Sequence, residues 1–403
     1  MLKLALRNLF RQRLRTLMTL SAIVFGVVAL MLSGGFVRDT LSQLGEALIH
    51  SQSGHLQIAN TGFFAEGARK PEQYLMKNVT PVRQEIAALP GVADVMARLN
   101  FSGLLNNGRS DDAIVGEGVE PGGEARLGSF LVFAAGRQLN DEDKDGIIIG
   151  QGVANALKLK PGDSATLAVN TPEGAMNTLE FKVVGVFQSF SKDYDARTVK
   201  IPLAAAQDLL DTPAANTVVV VLRKTEDTER IQRELKAKLD QQGLEVKNWE
   251  EINDFYDKAA GFYNMQFGVL RLIVLIMVLL SVTNSVNMTV LERVGEFGTL
   301  MAVGNRSGYI FRLVVTESAL LGFFAALLGA AAGIALAVVI TKIGIPMPPP
   351  PNSNLPYTAA IRPTPEVALA ATLVGFMATV LASILPALHV SRRPVVEALR
   401  QNV

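Results

Sequence analysis

The sequence predicts an α-helical membrane protein with four transmembrane helices, both termini inside, and one large α+β domain outside. Three observations predict it. Uncharged segments at about 16–37, 272–291, 318–341 and 367–390 each approach or exceed the roughly 20 apolar residues that cross a bilayer. Residues 52–249 have the mixed composition of soluble protein. Basic residues gather on one side: Lys3, Arg7, Arg11, Arg13 and Arg15, then Arg293, Arg306 and Arg312, then Arg392, Arg393 and Arg400. The short outer loop offers essentially Arg362 alone, so the N-terminus is assigned to the cytoplasmic side.

Composition agrees with this segregation. A hydrophobic share of 49% is high for a soluble enzyme, and 19% charged residues are too many for a chain wholly in the membrane. The absence of cysteine excludes disulfides and thiol chemistry. His50, His55 and His389 have no metal-ligand spacing, so no metal site is expected. No basic run with interleaved aromatics suggests nucleic acid.

In chain order, residues 1–51 form a cytoplasmic N-terminus, an uncleaved first span and a stalk. The span is too long for a signal-peptide core, and no small-x-small cleavage site follows before Arg38-Asp39. Leu41, Leu44, Ala47 and Leu48 carry the helix pattern beyond the membrane. Two β-α-β units then frame the outer domain, in 52–112 and 217–249: HLQIAN to VADVMARLNFSGLL, and TVVVVLR to LEVKNW. Together they suggest one α+β domain resembling the porter-type fold. A β-rich lobe is inserted between them at 113–216, with the turn Pro161-Gly162-Asp163 and the strand VVGVF.

Residues 250–291 read as a returning stalk running into the second span, with Phe262, Tyr263, Gln266 and Leu270 at helical intervals. Ser281, Thr283, Asn284, Ser285 and Asn287 within that span are costly in lipid; Ser and Thr are expected to satisfy their own helix and an Asn of the pair Asn284 and Asn287 to bond to a neighbouring helix, the alternative being that both line a substrate or ion path. The spans hold no buried acid–base pair on this reading, which argues against a proton-coupled route. Residues 313–343 form the third span, where Gly329 and Gly333 let helices approach closely. Residues 344–364 form a stiff outer loop through PMPPPPNSNLP, 365–391 the fourth span, and 392–403 a cytoplasmic tail.

Residues 292–312 form a short amphipathic helix between two spans on the basic side. Leu291, Val294, Phe297, Leu300 and Met301 recur as on one helix face, and Gly304 is placed as a C-terminal capping glycine. Such a helix can lie along the membrane surface and be gripped by a soluble partner. No G-x-x-x-x-G-K-[ST], G-x-S-x-G or H-E-x-x-H occurs, so the chain is expected to be non-catalytic.

The order Asn284, Glu292-Arg293, Glu296-Phe297-Gly298, Ala302-Val303-Gly304 resembles the signature of the MacB/FtsX/LolC-LolE permease superfamily. Leu300 and Met301 depart from it, since such permeases often carry basic residues there. The resemblance implies an ABC complex in a bacterial inner membrane, with two permeases, identical or homologous, and two copies of a separate ATPase that binds ATP. Glu292, Arg293, Glu296, Phe297, Gly298 and Gly304 would be the ATPase-coupling residues. The chain itself would hold no cofactor. The N-terminal segment and SGHLQI look most like lipoprotein-release permeases, implying a lipid-anchored cargo or a periplasmic carrier protein. Efflux of peptides or amphiphiles, regulation of cell-wall hydrolases and a non-transporting receptor are the alternatives.

Overall fold

The computed structural model describes residues 13–67, 70–350 and 352–394. Lys3, Arg7, Arg11 and Arg400, used above to orient the chain, lie outside the described residues. The chain divides into a helix bundle (1–41, 260–346 and 358–403) and an outer domain (42–259 and 347–357).

Helix α1, Arg13–Leu48, begins in the bundle and ends in the outer domain, finishing in a π-helical turn at Ile49–Ser53. Its last turns are buried in the domain through Leu44, Ala47 and Leu48. Gly45 lies so close to Trp249 that a Cβ would come within 2.7 Å of the indole.

The two predicted β-α-β units exist, but they interleave. The first is β1 (Leu56–Asn60), α2 (Thr80–Ala87) and β2 (Val92–Asn106); the second is β9 (Thr217–Leu222), α3 (Thr228–Leu239) and β10 (Leu244–Asn248). The strands lie in the order β10-β1-β9-β2, every neighbour antiparallel, so each unit leaves a gap that a strand of the other fills. This is the split β-α-β arrangement of ferredoxin-like folds. α2 and α3 cover one face through Ile86, Ile231, Leu235 and Leu239, packed on Leu56, Ile58, Val218 and Val220.

The inserted lobe is not separate from this sheet, and it does not begin at residue 113. The 15-residue β2 pairs with β9 over Val92–Arg98 and with β3 (Asp111–Val119) over Arg98–Asn106. Beyond β3, pairing passes to β8 (Thr198–Pro202), β5 (Gly146–Gly150), β7 (Met176–Gln188) and β6 (Ser164–Asn170), which returns to β2. Six strands thus close a barrel with no free edge among them. Phe101, Ile147, Ile149, Leu167, Phe181 and Val199 belong to its core. The boundary therefore falls inside β2, where no turn punctuates the sequence.

Four charges are buried at that handover. Arg98 on β2, Glu117 on β3, Lys200 on β8 and Glu124 are each under a tenth exposed. Arg98 is 3.0 Å from Glu124 and 3.4 Å from Glu117; Lys200 pairs with Glu124 and lies 3.4 Å from Glu117. Tyr194 donates to Glu117 at 2.8 Å. Burial raises the Glu124 pKa, but Lys200 and Arg98 together hold it below its ordinary value. With two cations facing two anions the cluster is balanced, as buried charges must be.

His50 and His55, distant from any motif, come together edge-on with ring centroids 5.7 Å apart. The buried His55 accepts from the Leu222 amide at Nδ1 (3.2 Å), so Nε2 carries the proton toward Thr225, whose hydroxyl donates to Glu46 on α1. Burial, then His50, lowers the His55 pKa to about 4. The unfolded chain takes up a proton near pH 6.5 that the folded domain refuses until about pH 4. Stability is thus complete above pH 6.5 and falls by up to about 3 kcal/mol as the pH drops toward 4. We expect exchange of the Leu222 amide to accelerate across that window, and His55→Asn to flatten the dependence. An unchanged acid slope in His55→Asn would exclude this residue as its source.

Residues 347–357 of the Pro-rich connection belong to the outer domain instead of forming a free loop. The Asn352 carbonyl accepts from the Lys192 amide at 2.8 Å, its side chain donates to Asp193 at 3.1 Å, and Ser353 and Leu355 are buried. The chain leaves the domain through a one-turn helix, Trp249–Ile252, with a capping box between Asn248 and Glu251. Asn253 (φ −103°, ψ 81°) then breaks the predicted stalk, and α4 runs from Asp254 to Glu292.

Among the described residues, the bundle contains four helices long and apolar enough to cross a membrane: α1, α4, α6 (Ser307–Ile343) and α7 (Pro365–Ser391). α6 begins six residues before the predicted third span, so 307–312 belong to it and the intervening helix is shorter. Gly329 and Gly333 face α1, where a Cβ would come 2.8 Å from Val27 and 2.5 Å from the Met31 sulfur. Gly322 meets Thr379 of α7 in the same way. The buried interior is a continuous apolar cluster including Ile23, Val27, Met31, Val282, Leu313 and Ala378.

Candidate functional site

The inner end of the bundle gathers the residues singled out by sequence. α4 stops at Glu292, Arg293 leaves helical geometry (φ −104°, ψ 13°), and α5 runs from Val294 to Ala302. Its end is a Schellman motif: the Gly304 amide bonds the Met301 carbonyl at 3.0 Å and the Asn305 amide the Leu300 carbonyl at 3.1 Å. Gly304 has φ +100° with open space around it, so backbone conformation and not packing requires glycine. A side chain there costs roughly 1–2 kcal/mol.

α5 turns one face inward. Val294, Gly295, Phe297 and Gly298 are buried, with Leu300 and Met301 packed beside them against the bundle core. The departure from family pattern at Leu300 and Met301 thus completes the buried face. Thr299, Ala302, Val303 and Arg306 are exposed, Val303 at 80%. Phe297 and Gly298 therefore support the helix from beneath, while the outward surface is formed by Thr299, Ala302, Val303 and Arg306.

Glu292, Arg293 and Glu296 are engaged within the chain. Glu292 pairs through both oxygens with Arg15 on α1, tying the inner ends of α1 and α4 together. Arg293 is 2.7 Å from Glu317 on α6 and 3.1 Å from Glu296, with its guanidinium 5.0 Å from the Phe297 ring centre. These groups line a cavity of about 250 Å³, whose wall also carries Thr19 and Ser285 with their hydroxyls in contact. The arrangement can hold α5 rigidly on α1, α4 and α6, so a push on its outer face reaches all three.

Asn284 and Asn287 do not make the interhelical bonds expected of them. Both are exposed on α4, and neither makes a side-chain hydrogen bond among the described residues. Thr283 instead donates to the Ala382 carbonyl of α7 at 3.2 Å, and Ser285 meets Thr19.

Acid–base pairs with a buried or largely buried member occur at both ends of the bundle, and the inner one is largely buried on both sides, against the sequence expectation. Arg293–Glu317 is one, each side chain at most 14% exposed. At the outer end the buried Asp39 lies 2.8 Å from Arg362, whose side chain is 57% exposed, and accepts from the Ala360 amide at 3.0 Å. Gly35, one turn earlier on α1, makes room for Ile361 and Arg362. A glycine and an acid four apart at a span's end was the available signal.

Comparison with known proteins bears on the whole chain. Residues 16–238 match the family model of the MacB-like periplasmic core domain, and residues 268–395 that of the FtsX-like permease C-terminal region. The chain belongs to the MacB/FtsX family of ABC permeases. An uncharacterized ABC transporter permease of Methanocaldococcus jannaschii is 26% identical over 52% of this chain and 52% of its own length. The lipoprotein-releasing system transmembrane protein LolE of Haemophilus influenzae is 23% identical over 78% of this permease and 74% of itself. The macrolide export ATP-binding/permease protein MacB of Rhodospirillum rubrum is 24% identical over 99% of this permease but 60% of itself. This permease thus spans between half and three quarters of those relatives. It is a multi-pass membrane protein with a periplasmic-type outer domain.

Proposed function

We propose that this permease works in a bacterial inner membrane as a mechanical transmitter, moving lipid-anchored cargo such as lipoproteins at its outer domain. ATP is bound by a separate ATPase, two copies to a complex, which docks on the outward surface of α5. One observation carries the reading: α1 and α4 each run unbroken across the division between bundle and outer domain, at residues 41/42 and 259/260. A continuous helix transmits displacement where a loop would absorb it. The closed apolar interior of the bundle supports action on cargo outside the membrane over passage through a single chain. A second permease, identical or homologous, covers the α4 face bearing Asn284 and Asn287, because exposed amides are costly in hydrocarbon and gain hydrogen bonds across a helix interface.

Lipid-anchored cargo is favoured by the LolE match, which covers comparable shares of both chains. Export of amphiphiles is the second reading, supported by the MacB match along nearly the entire permease. The test is reconstitution in proteoliposomes with the ATPase and a lipoprotein, in acylated form and without its acyl anchor. ATP-dependent release of the acylated form alone is expected. Export of a free amphiphile while the acylated protein stays bound would establish the second reading.

A further inference from the structure

Between the outer ends of α6 and α7 lies a groove of about 430 Å³ that none of the functions above uses. Val338, Thr341, Lys342, Ile361, Arg362, Pro363 and Thr364 line it. Its floor is fixed: the Thr341 hydroxyl donates to the Ile361 carbonyl at 3.0 Å, and the Ile361 amide donates to the Thr341 hydroxyl oxygen at 3.0 Å. Val338, Val339, Ile343 and Ile345 continue an exposed apolar surface beside it.

The rim is cationic, on the side where the positive-inside rule disfavours cations in short loops. Two of the outer-end cations have acidic partners, Arg38 with Glu366 at 2.8 Å and Arg362 with Asp39 at 2.8 Å. Lys342 has none among the described residues. An ammonium at the end of a span, above an apolar groove, matches an amphiphile with a negative head and a hydrocarbon tail.

We propose that this groove binds an anionic phospholipid of the outer leaflet, its phosphate on Lys342 and the start of an acyl chain along Val338 and Ile361. Arg362, held by Asp39, shapes the rim beside it while Lys342 supplies the net charge. Charge complementarity decides for an anionic over a zwitterionic headgroup. The apolar floor decides for a lipid over free phosphate.

The test uses the whole permease, purified in detergent and titrated with phosphatidylglycerol or phosphatidylcholine, with retained lipid counted by native mass spectrometry. One tightly held phosphatidylglycerol is expected, with phosphatidylcholine held several-fold more weakly. Lys342→Gln should weaken phosphatidylglycerol retention about fivefold, the scale of one cation near a membrane surface. Val338→Trp, which fills the groove without touching charge, should weaken it as much, while Lys144→Gln in the outer domain should not. Equal retention of the two lipids, or wild-type retention in either groove variant, would overturn the proposal. So would displacement by soluble glycerol phosphate at equal concentration, which would make the site one for phosphate and not for lipid.

Discussion

A flexible Gly-Ser segment inserted after Gln43 is expected to abolish cargo movement while sparing ATP hydrolysis and the fold of the outer domain. The insertion point lies two residues into the domain's share of α1. Leu44, Gly45, Ala47 and Leu48 follow it, so the turns that dock on the domain and on Trp249 keep their contacts. The α5 region is untouched, so ATP hydrolysis should persist. What is lost is the stiffness of the helix between them. A helix-preserving, Ala-rich insertion of about seven residues, close to two turns, keeps rotational phase and should retain much of the transport. A half-turn insertion rotates the two ends against each other and should transport poorly. The same series after Lys258 should behave alike, because α4 is continuous there. Equal transport by flexible, whole-turn and half-turn insertions would show the outer domain to be a passive tether.

The parts of this architecture carried by local periodicity were legible in the sequence. Four apolar stretches, two β-α-β patterns and the glycine that ends α5 each have a signal within about one helix or one strand. Relations between distant segments were not. β1 and β2 belong to one β-α-β pattern, yet β9, more than a hundred residues later, lies between them. β2 carries no mark where it passes from the first sheet segment to the barrel, since a strand paired on both sides looks the same whichever strands flank it. Buried charges misled in the same way. Arg98, Glu117, Glu124 and Lys200 look like ordinary surface residues until the barrel closes and makes them each other's partners. Around α5, the sequence showed an amphipathic helix but not which of its residues are buried. Motif residues Phe297 and Gly298 lie on the buried face of α5, and the exposed residues at its end are Thr299, Ala302, Val303 and Arg306.

That orientation determines the second large effect expected, loss of ATPase coupling when Glu292 is reversed. Glu292→Lys places an ammonium against Arg15, converting a two-oxygen ion pair into like charges in contact. At about 4 Å the repulsion approaches 4 kcal/mol at an effective dielectric constant near 20. Both side chains are partly exposed, 28% for Arg15 and 39% for Glu292, so solvent screening leaves a fraction of this. Even one quarter of it opposes the approach of α1 and α4 at their inner ends. Adding Glu296→Lys removes a partner of Arg293 and leaves Glu317 to hold that guanidinium alone. We expect stimulated ATP hydrolysis and cargo movement to fall about tenfold or more in the double variant, with the permease still folded. The decisive measurement is a charge swap. If Glu292 acts by tying α1 to α4, Arg15→Glu combined with Glu292→Lys rebuilds the pair in reverse and restores most of the coupling. If Glu292 instead touches the ATPase, the swap leaves coupling lost. Full coupling in the Glu292→Lys and Glu296→Lys double variant would remove both carboxylates from the mechanism and leave the outer face of α5, around Val303 and Arg306, to carry the contact alone.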